Sequence, residues 1–299
     1  MPLPPPDGAR GRPAAASRPP ARGDRPISGL RGGARRQRLI RLRYGPSRSQ
    51  RADLWLPSPA SAATASAGSA AVPVVVLLHG GFWRWPYSKM IMTILARDVR
   101  ARGWAAWNVE YRRLGRFGGG GGHPATFDDV AAAVDHLAAL PASLRDRVDL
   151  TRVVLCGHSA GGTLALWAAG RRDCPVVPRA VIGLAAVSDL AVAERTGIGG
   201  SAVSDLLGGR ADERPDRYAA CSPSSRVPSP VPVILVHGRT DDTVPLAMSE
   251  EHVHRERAAG GTAELVVVEA THSGLLRPRG PGWQSVIRAV TTISELSTT

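Results

Sequence analysis

The chain has 299 residues, 43% of them apolar, and a formal charge of +13. That length and composition suit one α/β domain with a large core and exclude a fully disordered chain, and no apolar run is long enough for a membrane helix. The charge would suggest a polyanion binder, but residues 1–50 hold twelve arginines against Asp7 and Asp24, a net of +10, so the remainder is close to neutral.

Met1 to Arg36 is rich in Pro, Gly, Ala and Arg and lacks apolar periodicity, so a disordered tail is expected over residues 1–36. No apolar segment follows Arg35-Arg36, which argues against a cleavable export signal. The tail reads first as an extension without function, with polyanion binding as the alternative. Lys89 is the only lysine, so the Arg excess looks like a nucleotide-composition bias. Cys156, Cys174 and Cys221 are odd in number and lack metal-ligand spacing. Without an export signal a Cys174–Cys221 disulfide is disfavoured, and a cytoplasmic protein is expected.

In chain order, Arg38 to Arg43 alternates as a half-exposed edge strand does, and Ala52 to Leu56 is a second short strand. Ser58 to Ala71 carries no pattern and reads as a loose loop. Val74 to Leu78 is continuously apolar, the mark of a strand buried on both faces. A helix follows over Ser88–Arg102, stopped by Gly103, then a strand from Trp104 to Val109. The pentaglycine Gly118 to Gly122 is expected to be mobile. Thr126 as N-cap, with Asp129 three residues on, opens a helix through Leu140. A strand over Arg152–Cys156 and a helix over Thr163–Gly170 flank Ser159. Strands at Ala180–Val187, Val233–Val236 and Leu265–Glu269 alternate with helices near Leu246–Ala259 and Gln284–Leu296. Such alternation predicts a mostly parallel, twisted sheet with helices on both faces. The irregular segment 188–230 is the candidate for a small lid, giving a catalytic domain over residues 37–299.

Ligands collect at the carboxyl ends of such strands, and four of those ends carry reactive or Gly-rich sequence. Gly157-His158-Ser159-Ala160-Gly161 has the spacing of a nucleophile elbow, where small residues two places either side of a serine permit a tight turn. His272 follows the last strand and can take the serine proton. Asp241, four residues after His237, is the preferred carboxylate to fix the imidazole tautomer, with Asp242 in reserve. The backbone N–H of Ala160, with that of Gly81 or Phe82, can supply an oxyanion hole. His158 is expected to pack beside the elbow, and His79 and His237 to be structural hydrogen-bonding residues. His123, His136, His252 and His254 read as solvated or helical, and the last two, two apart, are badly spaced for a metal.

His79-Gly80-Gly81-Phe82-Trp83, Gly157 to Gly162, Glu110-Tyr111-Arg112, Ser222-Pro223, His237-Gly238 with Asp241, and His272 together resemble the α/β-hydrolases. Within that fold the likeness is to the small esterases that include kynurenine formamidase and the feruloyl/acetyl-xylan esterase-like enzymes. It covers about residues 37–296 and leaves out both the tail and the pentaglycine. What the resemblance implies is a Ser159–His272–Asp241 serine hydrolase of small carboxylic esters, working without cofactor or metal. Arylformamidase activity is the alternative, followed by a prolyl-peptidase-like hydrolase. The expected partner is a small-molecule ester or amide, with no nucleic acid for the catalytic domain.

Overall fold

The computed structural model describes residues 39–65, 71–172 and 174–295, so the disorder expected of the tail lies outside the described residues. By internal contacts the chain divides into residues 1–36 and 37–299.

One eight-stranded sheet organises the second unit. Its strands are β1 (Leu39–Arg43), β2 (Arg51–Trp55), β3 (Val72–Leu78), β4 (Ala105–Val109), β5 (Val148–His158), β6 (Ala180–Leu184), β7 (Val233–Gly238) and β8 (Ala263–Val268), in the order β1-β2-β4-β3-β5-β6-β7-β8. The β1–β2 and β2–β4 pairs are antiparallel and the other five are parallel. The helices are α1 (Pro59–Ala65), α2 (Thr93–Ala101), α3 (Ala125–Asp135), α4 (Ala142–Arg145), α5 (Ala160–Ala169), α6 (Leu190–Arg195), α7 (Ala202–Leu207), α8 (Pro215–Cys221), α9 (Leu246–Ala258) and α10 (Pro281–Glu295).

The continuous apolar runs have a structural cause. In β3, Val74, Val76 and Leu78 enter a core shared with α3, α5 and α9, while Val75 and Leu77 enter a second core under α2 and α10. Side chains alternate faces along a strand, so a strand covered on both sides needs apolar residues throughout. Cys156 of β5 packs into the second core, and burial pushes its thiol up to about 12, leaving an inert small hydrophobe. All three cysteines are free. No helix among the described residues is long and apolar enough to cross a membrane.

Several expectations need correction. Residues 59–65, expected as loop, form the Ala-rich α1. The segment after Ser88 starts as a 3-10 turn, Lys89–Met92, before α2. Thr126 is not an N-cap: α3 begins at Ala125, and the Thr126 hydroxyl donates to the Arg112 carbonyl (2.7 Å) and accepts from Gly122 N–H (2.9 Å). Asp129 is buried against Arg112 and Gln50 and takes no part in capping. Nor is the pentaglycine a loose loop. Gly118 O accepts from Arg113 N–H (2.7 Å), Gly121 N–H donates to Arg113 O (2.9 Å), and a Cβ on Gly118 would lie 2.0 Å from Arg113 O. Gly118 and Gly121 supply close backbone approach where sequence alone suggests freedom. His252, expected to be solvated or helical, lies in α9, where it is 1% exposed and bonded to Ser224 Oγ (3.2 Å).

The insertion 188–230 holds α6, α7, α8 and a 3-10 turn. It stands against the loop that follows β3: a Cβ on Gly199 would lie 2.4 Å from the Phe82 ring, and Arg84 bonds Ser201 Oγ (2.8 Å) and pairs with Asp205.

Candidate active site

β5 ends at His158, α5 begins at Ala160, and Ser159 between them has φ 55° and ψ −121°. A non-glycine residue holds a positive φ only where its surroundings over-determine it. Here the cause is packing. A Cβ on Gly157 would sit 2.0 Å from Gly161 O, and one on Gly161 would sit 2.2 Å from Leu78 O. The strand and helix therefore approach more closely than any side chain allows. Ser159 N–H bonds Leu184 O (2.8 Å) and Thr163 Oγ1 bonds Val187 O (2.7 Å), tying the turn to the end of β6.

β7 and β8 bring the acid and the histidine together. His272 Nδ1 lies 2.8 Å from Asp241 Oδ2, and the Asp241 side chain is 1% exposed against 14% for His272. The second carboxylate oxygen accepts from the N–H groups of Thr243 (2.9 Å) and Val244 (2.8 Å). Burial alone would raise the Asp241 carboxyl, but the hydrogen bonds from His272, Val244 and Thr243 outweigh it and hold the group below its ordinary value. Asp242, the reserve, bonds only the Thr243 hydroxyl (3.1 Å). The two loops are strapped together: Thr240 Oγ1 bonds Ala270 O (3.0 Å), Arg239 Nε meets Glu269 (2.7 Å), and a Cβ on Gly238 would lie 2.2 Å from Ala270 O. The side-chain hydrogen bond of His272 goes to Asp241, not to Ser159.

The loop after β3 runs beside the elbow, since a Cβ on Gly80 would lie 3.1 Å from Ser159 Cβ. Gly81, Phe82 and Trp83 have φ of 107°, 53° and 56°, three left-handed residues in succession. Gly81 can be nothing larger, because a Cβ there would fall 2.2 Å from Tyr87. Trp83 Nε1 donates to Ala160 O (3.0 Å), joining this loop to the helix whose first N–H has no intrahelical acceptor. Trp83 is buried and Phe82 half-buried, so of the aromatics in this loop Trp85, at 48%, and Tyr87, at 44%, are the exposed ones.

Behind the loop lies a buried polar network that spacing along the chain does not disclose. His79 Nδ1 is 2.8 Å from Gly80 O and Nε2 is 3.0 Å from Glu110 Oε1. Tyr111 stacks on the His79 ring at 4.3 Å and donates its hydroxyl to His79 O (2.7 Å). Burial would raise the Glu110 carboxyl, yet His79, Arg113 and the Lys89 N–H together lower it. Lys89 in turn is buried in an ion pair with Asp53. The sequence signals for this network are the expected hydrogen-bonding role of His79 and the Glu110-Tyr111-Arg112 run. His237, expected to be structural, bonds Ser249 Oγ (2.7 Å) and Val244 O (2.9 Å).

Sheet order and elbow define the protein as an α/β-hydrolase. Within that class the chain belongs to the BD-FAE family, an esterase family whose model matches residues 63–255, and it is an esterase-type hydrolase. Solved structures agree on the fold. A truncated carbohydrate esterase from gut microbiota is 18% identical, covers 85% of this chain and 95% of its own, and superposes with a TM-score of 0.71. Esterase B from Lactobacillus rhamnosis is 19% identical over 87% of each chain, with a TM-score of 0.69. A thermophilic esterase from Thermogutta terrifontis is 20% identical over 85% of this chain and 90% of its own, with a TM-score of 0.64. No curated protein matches the chain by sequence.

Proposed function

We propose that the protein hydrolyses small carboxylic esters through an acyl-enzyme on Ser159. The observation that carries this reading is the 2.8 Å His272–Asp241 contact at the strand ends that flank a serine held at φ 55°. With its Nδ1 proton given to Asp241, His272 keeps the Nε2 lone pair free. Nε2 takes the Ser159 proton as Oγ bonds to the ester carbonyl carbon. The tetrahedral oxyanion is met by the N–H of Ala160 and those of Gly81 and Phe82. Collapse breaks the C–O bond to the alcohol, which leaves with the proton from His272. Water, deprotonated by the same Nε2, then releases the acid and restores the serine.

The insertion with α6–α8 acts as a lid on the substrate, seated as it is against Phe82 and Arg84. The likeness to a carbohydrate esterase and to Esterase B favours an ester over the N-formyl amide. Three free cysteines fit a cytoplasmic location. Ser159→Ala is expected to lower turnover of a short p-nitrophenyl ester by at least about a thousandfold, with an unchanged thermal transition. Turnover retained in that variant defeats the mechanism. Side-by-side rates on short-chain esters and N-formylkynurenine separate esterase from arylformamidase.

A further inference from the structure

The residue before the nucleophile is a second histidine, and its contacts exceed packing. His158 Nε2 lies 3.1 Å from the backbone oxygen of His272, and the two imidazole centroids are 4.6 Å apart at 48°. A carbonyl oxygen only accepts, so the ring proton of His158 sits on Nε2. Nδ1 faces the oxyanion loop, where a Cβ on Gly80 would meet it at 2.9 Å. One side chain thus touches the elbow, the loop after β3 and the loop carrying His272. Burial first, then the neighbouring His272, lower His158 to about 3, and Asp241 and His237 complete the titratable groups that bear on it. The ring is therefore neutral wherever His272 works as a base, and adds no repulsion when His272 becomes a cation.

Resting on the hydrolase mechanism above, we propose that His158 is a positioning residue: its Nε2–H holds the His272 backbone so that Nδ1 stays on Asp241. A loop histidine must be kept near the productive geometry for turnover, while substrate affinity depends on other contacts. The effect therefore belongs in kcat and leaves KM alone.

The test compares two replacements. Phe keeps the ring and loses the donor; Gln loses the ring but places an N–H near the position of Nε2. His158→Phe is expected to lower kcat about tenfold with KM within about twofold, and His158→Gln to recover kcat to within about threefold of the parent. A Phe variant with parental kcat overturns the proposal, as does a Gln variant no better than Phe. Thermal unfolding establishes that each variant folds. Should neither fold, 15N spectra of the parent's histidines decide. A His158 protonated at Nε2 alone and non-titrating from about pH 5 to 8 supports the role; a proton on Nδ1, or a titration in that range, overturns it. The Ser159→Ala control separates the two failures. Lost activity there with normal kcat in His158→Phe sinks the positioning role alone, whereas surviving activity sinks the mechanism beneath it.

Discussion

Two adjacent carboxylates, Asp241 and Asp242, follow β7, and their surroundings assign them different work. Asp241 spends one oxygen on His272 and the other on two backbone N–H groups, so it is fixed on both sides. Asp242 is exposed. Asp241→Asn is expected to lower kcat by about a thousandfold or more, with Asp242→Asn within about twofold of the parent, both read as steady-state turnover. A large loss in Asp242→Asn alone would reverse the assignment. Acid stability follows from the buried histidines at the same scale. His252, lowered to about 4 from 6.5 chiefly by burial, is neutral in the folded protein over a range where the unfolded chain binds a proton. Stability rises with pH wherever the unfolded state binds more protons, so it falls as pH drops from about 6.5 toward 4. Asp241, with its carboxyl lowered, acts in the same direction at still lower pH, its contribution vanishing as pH falls through its folded value. The Tm is expected to decline from about pH 6.5 to 4. His252→Gln should shrink that decline, and an unchanged slope would remove His252 as its cause.

At the scale of elements, the elbow and the pentaglycine pose the same question with different legibility. Gly157 and Gly161 announce themselves because they sit symmetrically about a serine between an apolar strand and an Ala-rich helix. Gly118 and Gly121 do not, since their partner is the backbone of Arg113, and nothing local says that those strands of chain meet. A run of glycines is equally the signature of freedom and of tight approach, and only the tertiary partner decides. The misplaced helix start at Thr126 has the same origin. Its hydroxyl has an excellent capping composition but is taken up by Arg112 and Gly122 from outside the helix. Two substitutions test the packed loop. Gly118→Ala meets Arg113 O at 2.0 Å and is expected to cost roughly 3 kcal/mol. Gly120→Ala has open space and only its φ of 79° against it, and should cost about 1–2 kcal/mol. Urea unfolding of the two reads the difference; equal, negligible losses would restore a mobile loop.

For the whole molecule, strand–helix alternation was legible because parallel strands buried on both faces must be apolar throughout, as β3, β6 and the Val153–Cys156 stretch of β5 are. The same alternation puts Ser159, Asp241 and His272 after β5, β7 and β8. Of the network of His79, Glu110, Tyr111 and Lys89 only the hydrogen-bonding role of His79 was legible, since its members come from three separate segments and Glu110 and Lys89 look like ordinary surface. Charge distribution is the remaining global feature. Of the formal +13, a net of +10 lies in residues 1–50, and the chain divides by contacts between Arg36 and Gln37. Every residue assigned to the chemistry lies between Gly81 and His272. A neutral ester carries no net charge for the Arg-rich segment to attract or repel, and salt screens what field remains. Residues 37–299 alone are therefore expected to retain kcat/KM to within about twofold of the full chain at 0.15 M salt, with the same thermal transition. Binding to a polyanion such as heparin should behave oppositely, weakening steeply with salt in the full chain and disappearing on truncation. A truncated protein that loses most of its esterase activity would make the tail part of the catalytic unit. One that still binds heparin would place the polyanion surface on residues 37–299, which keep a net charge of +7 that includes Arg38, Arg41, Arg43 and Arg48.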